Sequence, residues 1–224
     1  MAVVCVLRVF VGEEGGGGNP LGVFLDGGQV SPTERQRVAA RLAFSETVFV
    51  DDLERGELRI FTPAAEIPFA GHPLVGTAWL LRRERSAVRT LRPPAGDVRI
   101  RYDDERVWIA GRPEWVEPFE YVQLGSVAEV ESLAGPPPGT GMAYCWAWED
   151  ESEGRVRARS FVPGLGIAED EATGSAALAL SARLGRPLEI RQGRGSLLIA
   201  RSLEGGLVEV GGLTEAVEAR ELRP

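Results

Sequence analysis

The chain has 224 residues, of which 44% are hydrophobic and 26% are charged, so it is long enough to bury a core in one or two soluble domains. Its formal net charge of −8 argues against nucleic acids and anionic membranes as partners, because both attract excess positive charge. It has neither an apolar run of membrane-spanning length nor the basic flank of a signal peptide, and we expect a cytoplasmic protein.

The residue types narrow the possible chemistry. All 25 basic residues are arginine, which excludes a lysine Schiff base and a Walker A lysine. One histidine and two isolated cysteines, Cys5 and Cys145, predict no metal site and two buried thiols rather than a disulfide. Neither GxGxxG nor GxSxG occurs, so the dinucleotide and serine-hydrolase signatures are absent. We therefore expect proton transfer by carboxylates, the histidine, hydroxyls and backbone amides.

The first half of the chain begins with two apolar strands joined by a glycine-rich loop, Val3–Val11 and Leu21–Leu25. Ser31 and Glu34 form a capping-box pattern, which predicts a helix to about Ala43 that exposes its arginines. The remaining predicted elements are a helix that is apolar on every side, Pro73–Leu81, and the strands Thr47–Val50, Leu58–Phe61, Val98–Tyr102 and Val107–Ala110.

The second half repeats this order in shorter form. A second apolar helix, Ala176–Leu184, ends at Gly185, and Gly211-Gly212 separates short closing strands. Apolar helices of this kind belong inside a fold. We expect an α+β protein of two pseudo-symmetric halves, 1–112 and 113–224, each a mostly antiparallel sheet around its own helix. The further predicted strands are Glu120–Leu124, Met142–Trp148, Arg155–Val162 and a strand that starts at Leu188-Glu189-Ile190.

The chain carries two similar segments, residues 59–81 and 159–180, each running from a strand through a glycine turn into an apolar helix. After a short slip, Ala70-Gly71-His72 corresponds to Thr173-Gly174-Ser175. The duplication predicts two related halves with a site where the two helix starts meet. The positions that recur one hundred residues apart are Arg59, Phe61, Pro63 and Ile67, which become Arg159, Phe161, Pro163 and Ile167.

The two turns suit a small acid. A helix start presents unpaired N–H groups and partial positive charge, and glycine lets a ligand approach the backbone, so two opposed starts would hold a carboxylate and an enolate-like anion. The alternative is that both turns only cap helices of a duplicated fold. Capping explains Ser175 and the glycines, but it does not explain Glu169 and Asp170 beside one turn and His72 in the other.

Glu46 is a further candidate. It stands among aromatic and β-branched residues in Phe44-Ser45-Glu46-Thr47-Val48, where partial desolvation would raise its pKa and let it accept and return a proton. The local sequence equally allows the other interpretation, in which Glu46 lies on an alternating strand and points to solvent.

Several motifs together resemble one known family, the PhzF-like phenazine-biosynthesis isomerases. This resemblance spans almost the whole chain in order. It implies the diaminopimelate-epimerase-like fold, cofactor-independent isomerisation of the kind that converts trans-2,3-dihydro-3-hydroxyanthranilate to its keto isomer, and a homodimer. The motifs are Gly18-Asn19-Pro20, Ser45-Glu46-Thr47, Phe61-Thr62-Pro63-x-x-Glu66, Ala70-Gly71-His72-Pro73 and Glu169-Asp170-x-Ala172-Thr173-Gly174-Ser175-Ala176.

The resemblance also implies residue roles. Glu46 would be the general acid/base, with His72 and Asp170 beside it in the catalytic cleft. The substrate, a small amino- or hydroxy-carboxylic acid, would bind to four further residues, Gly71, Gly174, Ser175 and Asn19. Related racemases use two thiols at the paired helix starts; here those places hold Ala70 and Thr173, which argues against a two-thiol mechanism.

The chain departs from the family pattern near the cleft's rim, where the loop of four glycines before Asn19 also lacks the aromatic residue often seen there. Glu171 replaces the usual proline, and Gln192-Gly193-Arg194-Gly195-Ser196 abbreviates a longer glycine-rich segment. The resemblance therefore reaches a reaction class and not a substrate. The alternative from a different class is a non-catalytic protein that keeps the fold to bind a small acid.

Overall fold

The computed structural model describes residues 2–222, which form four α-helices and fifteen strands. The helices are Pro32–Leu42 (α1), Gly71–Arg83 (α2), Val127–Ser132 (α3) and Gly174–Leu184 (α4). The strands are Ala2–Val11 (β1), Gly17–Phe24 (β2), Glu46–Asp52 (β3), Glu57–Phe61 (β4), Glu66–Ile67 (β5), Thr90–Leu91 (β6), Val98–Tyr102 (β7), Val107–Gly111 (β8), Glu120–Gln123 (β9), Ala143–Asp150 (β10), Arg155–Val162 (β11), Ile167–Asp170 (β12), Leu188–Gln192 (β13), Ser196–Ser202 (β14) and Val208–Leu222 (β15).

The two apolar helices lie at the centre of the fold, as the sequence predicts. Helix α2 packs against β1, β2, β3, β8 and β15, and α4 packs against β14 and β15. Almost every side chain of α2 is buried, as are the first eight residues of α4. Because such helices have no polar face to offer water, burying them all round is the stable solution. The α+β prediction, with sheets around central helices, is confirmed.

The strands form one hydrogen-bonded array with the order β5-β4-β3-β2-β1-β15-β14-β13-β11-β10-β9. Strand β12 joins β11, and the β6–β7–β8 meander joins β15 through β8. Most pairings are antiparallel; within residues 2–222 the parallel ones are β2 with β3, β9 with β10, and β11 with β13. Strand β15 belongs to the second half of the chain, but it pairs with β1 and β8 from the first half as well as with β14 from the second. The division of the chain into two halves at residue 112 stays a prediction.

The short closing strands expected around Gly211-Gly212 are wrong, because one strand, β15, runs through both glycines. A Cβ on Gly211 would lie 2.4 Å from the Trp108 ring, and one on Gly212 would lie 2.6 Å from the Phe10 ring. The glycines thus mark places where aromatic rings lie on the strand backbone rather than places where the strand ends.

Helix α1 differs from its prediction in two details. Arg35 is buried rather than exposed: its guanidinium donates to the carbonyls of Gly27 and Val30 and to Asp51. The Ser31 hydroxyl lies 2.6 Å from a Glu34 carboxylate oxygen and caps no backbone N–H, so the capping box is not formed.

Cys5 is partly buried and Cys145 buried, and both are free thiols as expected. Within residues 2–222, no helix is long and apolar enough to cross a membrane.

Candidate active site

The two helix starts predicted from the duplication meet in the structure. A Cβ on Gly71, the first residue of α2, would lie 2.6 Å from the carbonyl carbon of Gly174, the first residue of α4. It would also lie 2.8 Å from the backbone nitrogen of Ser175. Glycine is required here because the two backbones touch, which is a different reason from the helix capping that the turns alone suggest.

Glu46 and His72 lie against each other at this junction. Glu46 begins β3, His72 is the second residue of α2, and Glu46 Oε2 lies 3.2 Å from His72 Nδ1. The side chains are almost inaccessible, with 7% of Glu46 and 2% of His72 exposed. The structure therefore decides the question that the alternating strand left open: Glu46 faces the interior, not the solvent.

Burial sets the protonation of this pair. Desolvation raises the pKa of Glu46 well above its usual value, and the nearby Asp170 carboxylate raises it further. Desolvation lowers the pKa of His72 to about 3, although the neighbouring Pro20 backbone opposes this shift. His72 is thus neutral near pH 7, so its contact with Glu46 is not a salt bridge. The site therefore holds a buried carboxyl group that keeps its proton to a higher pH than an ordinary glutamate does.

Asn19 joins these residues to Asp170. Its side-chain nitrogen donates to Asp170 Oδ1 at 2.7 Å and to the Ala172 carbonyl at 3.0 Å, and it lies 3.3 Å from His72 Nδ1. The Ser45 hydroxyl donates to Asn19 Oδ1 at 3.1 Å. Asn19 is fully buried and Asp170 is 3% exposed. The Asn19 side-chain amide therefore links His72, from the first half of the chain, to Asp170, from the second half.

Asp170 is held from its own side as well. The Thr173 hydroxyl donates to Asp170 Oδ2 at 2.6 Å. Burial raises the pKa of Asp170, while hydrogen bonds from Thr173, Ser45 and Asn19 act in the opposite direction. Two buried carboxyl groups, Glu46 and Asp170, thus share a site in which ionisation of one opposes ionisation of the other.

A second layer behind Asp170 was missed by sequence reasoning. Gln192, fully buried at the end of β13, donates to the Asp170 carbonyl at 2.9 Å and to Thr173 Oγ1 at 3.0 Å. Its own oxygen accepts from the Thr173 N–H and the Tyr144 hydroxyl. The sequence marks Gln192 only as the first residue of a glycine-rich segment, since nothing local indicates which buried groups it will meet.

The other predicted residues divide into two sets. Gly71, Gly174 and Ser175 lie at the helix junction, beside the residues described above. Arg159, the counterpart of Arg59 in the second repeat, lies outside this set: it makes two 2.7 Å hydrogen bonds to Glu169 and donates to the Leu133 carbonyl. Within residues 2–222, no group of three or more His, Cys, Asp or Glu side chains is arranged to hold a metal ion.

Comparison with known proteins connects the chain to one family. A family model described as phenazine biosynthesis-like protein matches residues 8–120 and 122–201. The trans-2,3-dihydro-3-hydroxyanthranilate isomerase of Pseudomonas fluorescens is 30% identical over 239 aligned positions, which cover 83% of this chain and 85% of that enzyme.

Two solved structures support the fold. A PhzF-family phenazine biosynthesis protein from Bacillus anthracis superposes with a TM-score of 0.79 at 20% identity, covering 100% of this chain and 99% of that one. A hydroxyproline epimerase from Agrobacterium vitis gives a TM-score of 0.65 at 11% identity, covering 98% and 91%. The chain belongs to the phenazine biosynthesis-like family and is an isomerase with the fold that this family shares with the epimerases.

Proposed function

We propose that this isomerase moves a proton between two carbons of a small amino- or hydroxy-carboxylic acid, without a cofactor, with Glu46 as the general acid/base. As a carboxylate, Glu46 removes a carbon-bound proton and leaves an enolate-like anion on the substrate. As the resulting acid, it returns the proton to a second carbon, so that atoms and charge balance over the cycle. His72 and Asp170 orient the polar substituents of the substrate.

Two buried atoms carry this proposal. Within residues 2–222, Glu46 Oε2 and His72 Nε2 make no hydrogen bond, although both are shielded from solvent. Buried polar atoms are nearly always paired, so each exception calls for an explanation, and a catalytic role is one of them. The other unpaired buried atoms in this part of the chain are the hydroxyls of Thr47, Thr77, Ser160 and Thr214. A substrate with a C–H proton and a polar substituent supplies a partner for each atom.

The helix junction supports the anionic step. The starts of α2 and α4 lie against each other, and the dipoles of both helices favour negative charge there. Gly71 and Gly174 place no side chain over the backbone amides there, and Ser175 adds a hydroxyl nearby. These groups would hold the substrate carboxylate and stabilise the charge that develops when Glu46 takes the proton.

Substrate entry requires an opening. Glu46, His72 and Asp170 are each less than a tenth exposed, so the described arrangement has no room for solvent around the reacting groups. We propose that the two helix starts separate to admit substrate and return to contact around it, which would also exclude water during proton transfer. The resemblance, rather than the geometry, supports a homodimer, and two free thiols in place of a disulfide support a cytoplasmic location.

The reaction class is tested with the relative's substrate and its analogues. The purified protein is incubated in deuterated water with trans-2,3-dihydro-3-hydroxyanthranilate and a panel of cyclic and acyclic amino and hydroxy acids, and carbon-bound deuterium is followed by NMR. We expect isomerisation or deuterium incorporation for at least one compound. Binding by calorimetry without exchange in any compound would contradict the proposal and favour a protein that only binds small acids.

A further inference from the structure

The loop that leads into Asn19 is fastened to residues from far along the chain. The buried Gly18 N–H donates to the Ser196 hydroxyl at 2.8 Å, and that hydroxyl donates to Glu171 Oε1 at 3.0 Å. Ser196 is fully buried and opens β14. The Ser196 hydroxyl thus accepts one hydrogen bond and donates another. These two hydrogen bonds are here called the Gly18–Ser196–Glu171 relay.

The relay lies directly beside the reacting residues at both of its ends. Gly18 precedes Asn19, whose amide holds Asp170 and the Ala172 carbonyl. Glu171 stands between those same two residues. The segment 170–172 is therefore connected to residues 18–19 in three ways: by the two hydrogen bonds of the Asn19 side chain and by the relay. A shift of Glu171 or Ser196 would move Gly18 and, with it, the Asn19 amide.

The segment before Asn19 is also held by the pairing of β1 with β2, in which Val9 faces Asn19 and Val11 faces Gly17, and by Arg8, which donates to the Gly15 and Gly17 carbonyls. Gly17 and Gly18 have φ values of +65° and +87°, a region that glycine enters freely, so the backbone itself imposes few limits. A Cβ on Gly17 would lie 2.3 Å from the Ser196 nitrogen, which shows that loop and strand are in direct backbone contact. Hydrogen bonds rather than side-chain packing set the position of this loop.

Glu171 acts here through Oε1 and not through its ion pair with Arg194. Oε1 accepts from the Ser196 hydroxyl and, at 2.7 Å, from the Arg194 N–H. The Arg194 guanidinium lies 3.2 Å from Oε2, but that side chain is 88% exposed. An ion pair so open to water contributes little, whereas the partly buried hydrogen bond from Ser196 fixes geometry.

We propose that Glu171 and Ser196 are positioning residues for the proton transfer: their relay holds the backbone that carries Asn19 against the segment that carries Asp170. Neither side chain touches the reacting atoms. This inference rests on the proposed function for its catalytic consequence, although the position of Asn19 is measurable without any substrate.

The test compares Ser196→Ala and Glu171→Ala with Arg194→Ala, which removes the exposed guanidinium but keeps the backbone N–H bond and the relay. We expect the first two variants to lower kcat about tenfold with KM changed less than about twofold, because a buried hydrogen bond that acts only on alignment is lost. Arg194→Ala should retain the kcat of the unmodified enzyme. An unchanged kcat in Ser196→Ala, or an equal loss in Arg194→Ala, would overturn the proposal.

A second readout needs no turnover. In ligand-free protein labelled with ¹⁵N, Ser196→Ala should increase hydrogen exchange at the Gly18 amide and move the side-chain NH₂ resonances of Asn19, whereas Arg194→Ala should leave both unchanged. Fixed Asn19 resonances in both relay variants would overturn the positioning role even if they lose activity through unfolding. If the unmodified protein exchanges no substrate proton, the proposed function fails, and these resonances still decide whether the relay positions Asn19.

Discussion

Replacing Gly71 by alanine is predicted to push the two helix starts apart. The added Cβ would lie 2.6 Å from the Gly174 carbonyl carbon and 2.8 Å from the Ser175 nitrogen, whereas ordinary contact begins near 3.4 Å, so the backbones must separate by about 0.8 Å. Overpacking of this kind costs about 1–3 kcal/mol of unfolding free energy, or about 2–12 °C in Tm for a chain of this size. Since misplacement by about 1 Å can cost about a hundredfold in rate, we expect kcat to fall about 10- to 100-fold.

Two matched variants control for general destabilisation in calorimetry and steady-state assays. Gly76→Ala, in the same helix, would place a Cβ 2.5 Å from Leu21 and 2.7 Å from Val9, so it stresses side chains next to α2 and leaves the helix junction in place. Gly141→Ala adds a Cβ with nothing within 4 Å. We expect Gly76→Ala to lower Tm without lowering kcat, and Gly141→Ala to change neither. A Gly71→Ala enzyme with kcat within about twofold of the original would refute the reasoning.

The remaining predictions concern buried polar groups. His72 has a depressed pKa, so its neutral form contributes stability above pH 6.5 that is lost as pH falls through about 3. Between pH 7 and pH 3, the free energy of unfolding measured in urea should fall by about 3–5 kcal/mol more for the original protein than for His72→Asn. If the two proteins lose the same free energy of unfolding over this range, the pKa of His72 is not depressed. Gln192→Leu leaves the Tyr144 hydroxyl and the Thr173 N–H unpaired and should cost about 2–5 kcal/mol, while Gln29→Leu on the surface should cost less than about 0.5 kcal/mol. Equal losses in the two glutamine variants would show that the buried network adds no stability.

The duplication made much of the fold predictable from the sequence. Two apolar helices, each preceded by a glycine turn, can be buried only in the interior, and this alone places α2 and α4 and brings their starts to one region. The strand signals near the helices were local as well, because β-branched and aromatic runs define β3, β4 and β11 without reference to partners.

The features that the sequence did not predict depend on distant partners. Arg35 is buried because the carbonyls of Gly27 and Val30 and the Asp51 carboxylate accept hydrogen bonds from its guanidinium. No local sequence pattern predicts these partners. Glu46 was ambiguous for the same reason, since an alternating strand does not reveal which of its faces is covered. Strand β15 continues through Gly211 because Trp108, a hundred residues earlier, lies on its backbone. The roles of Glu46, His72 and Asp170 stay predictions, now with a shared site.

Carbon-bound proton exchange in a Glu46→Gln enzyme tests the central claim most directly. The glutamine side chain keeps the size of the glutamate but cannot take a proton, and Glu66→Gln is the matched control because Glu66 is exposed on β5. With a substrate found by the deuterium screen, the claim predicts loss of general acid/base catalysis, about 10²- to 10⁴-fold in exchange rate, for Glu46→Gln and an unchanged rate for Glu66→Gln. Exchange at the original rate in folded Glu46→Gln would contradict it.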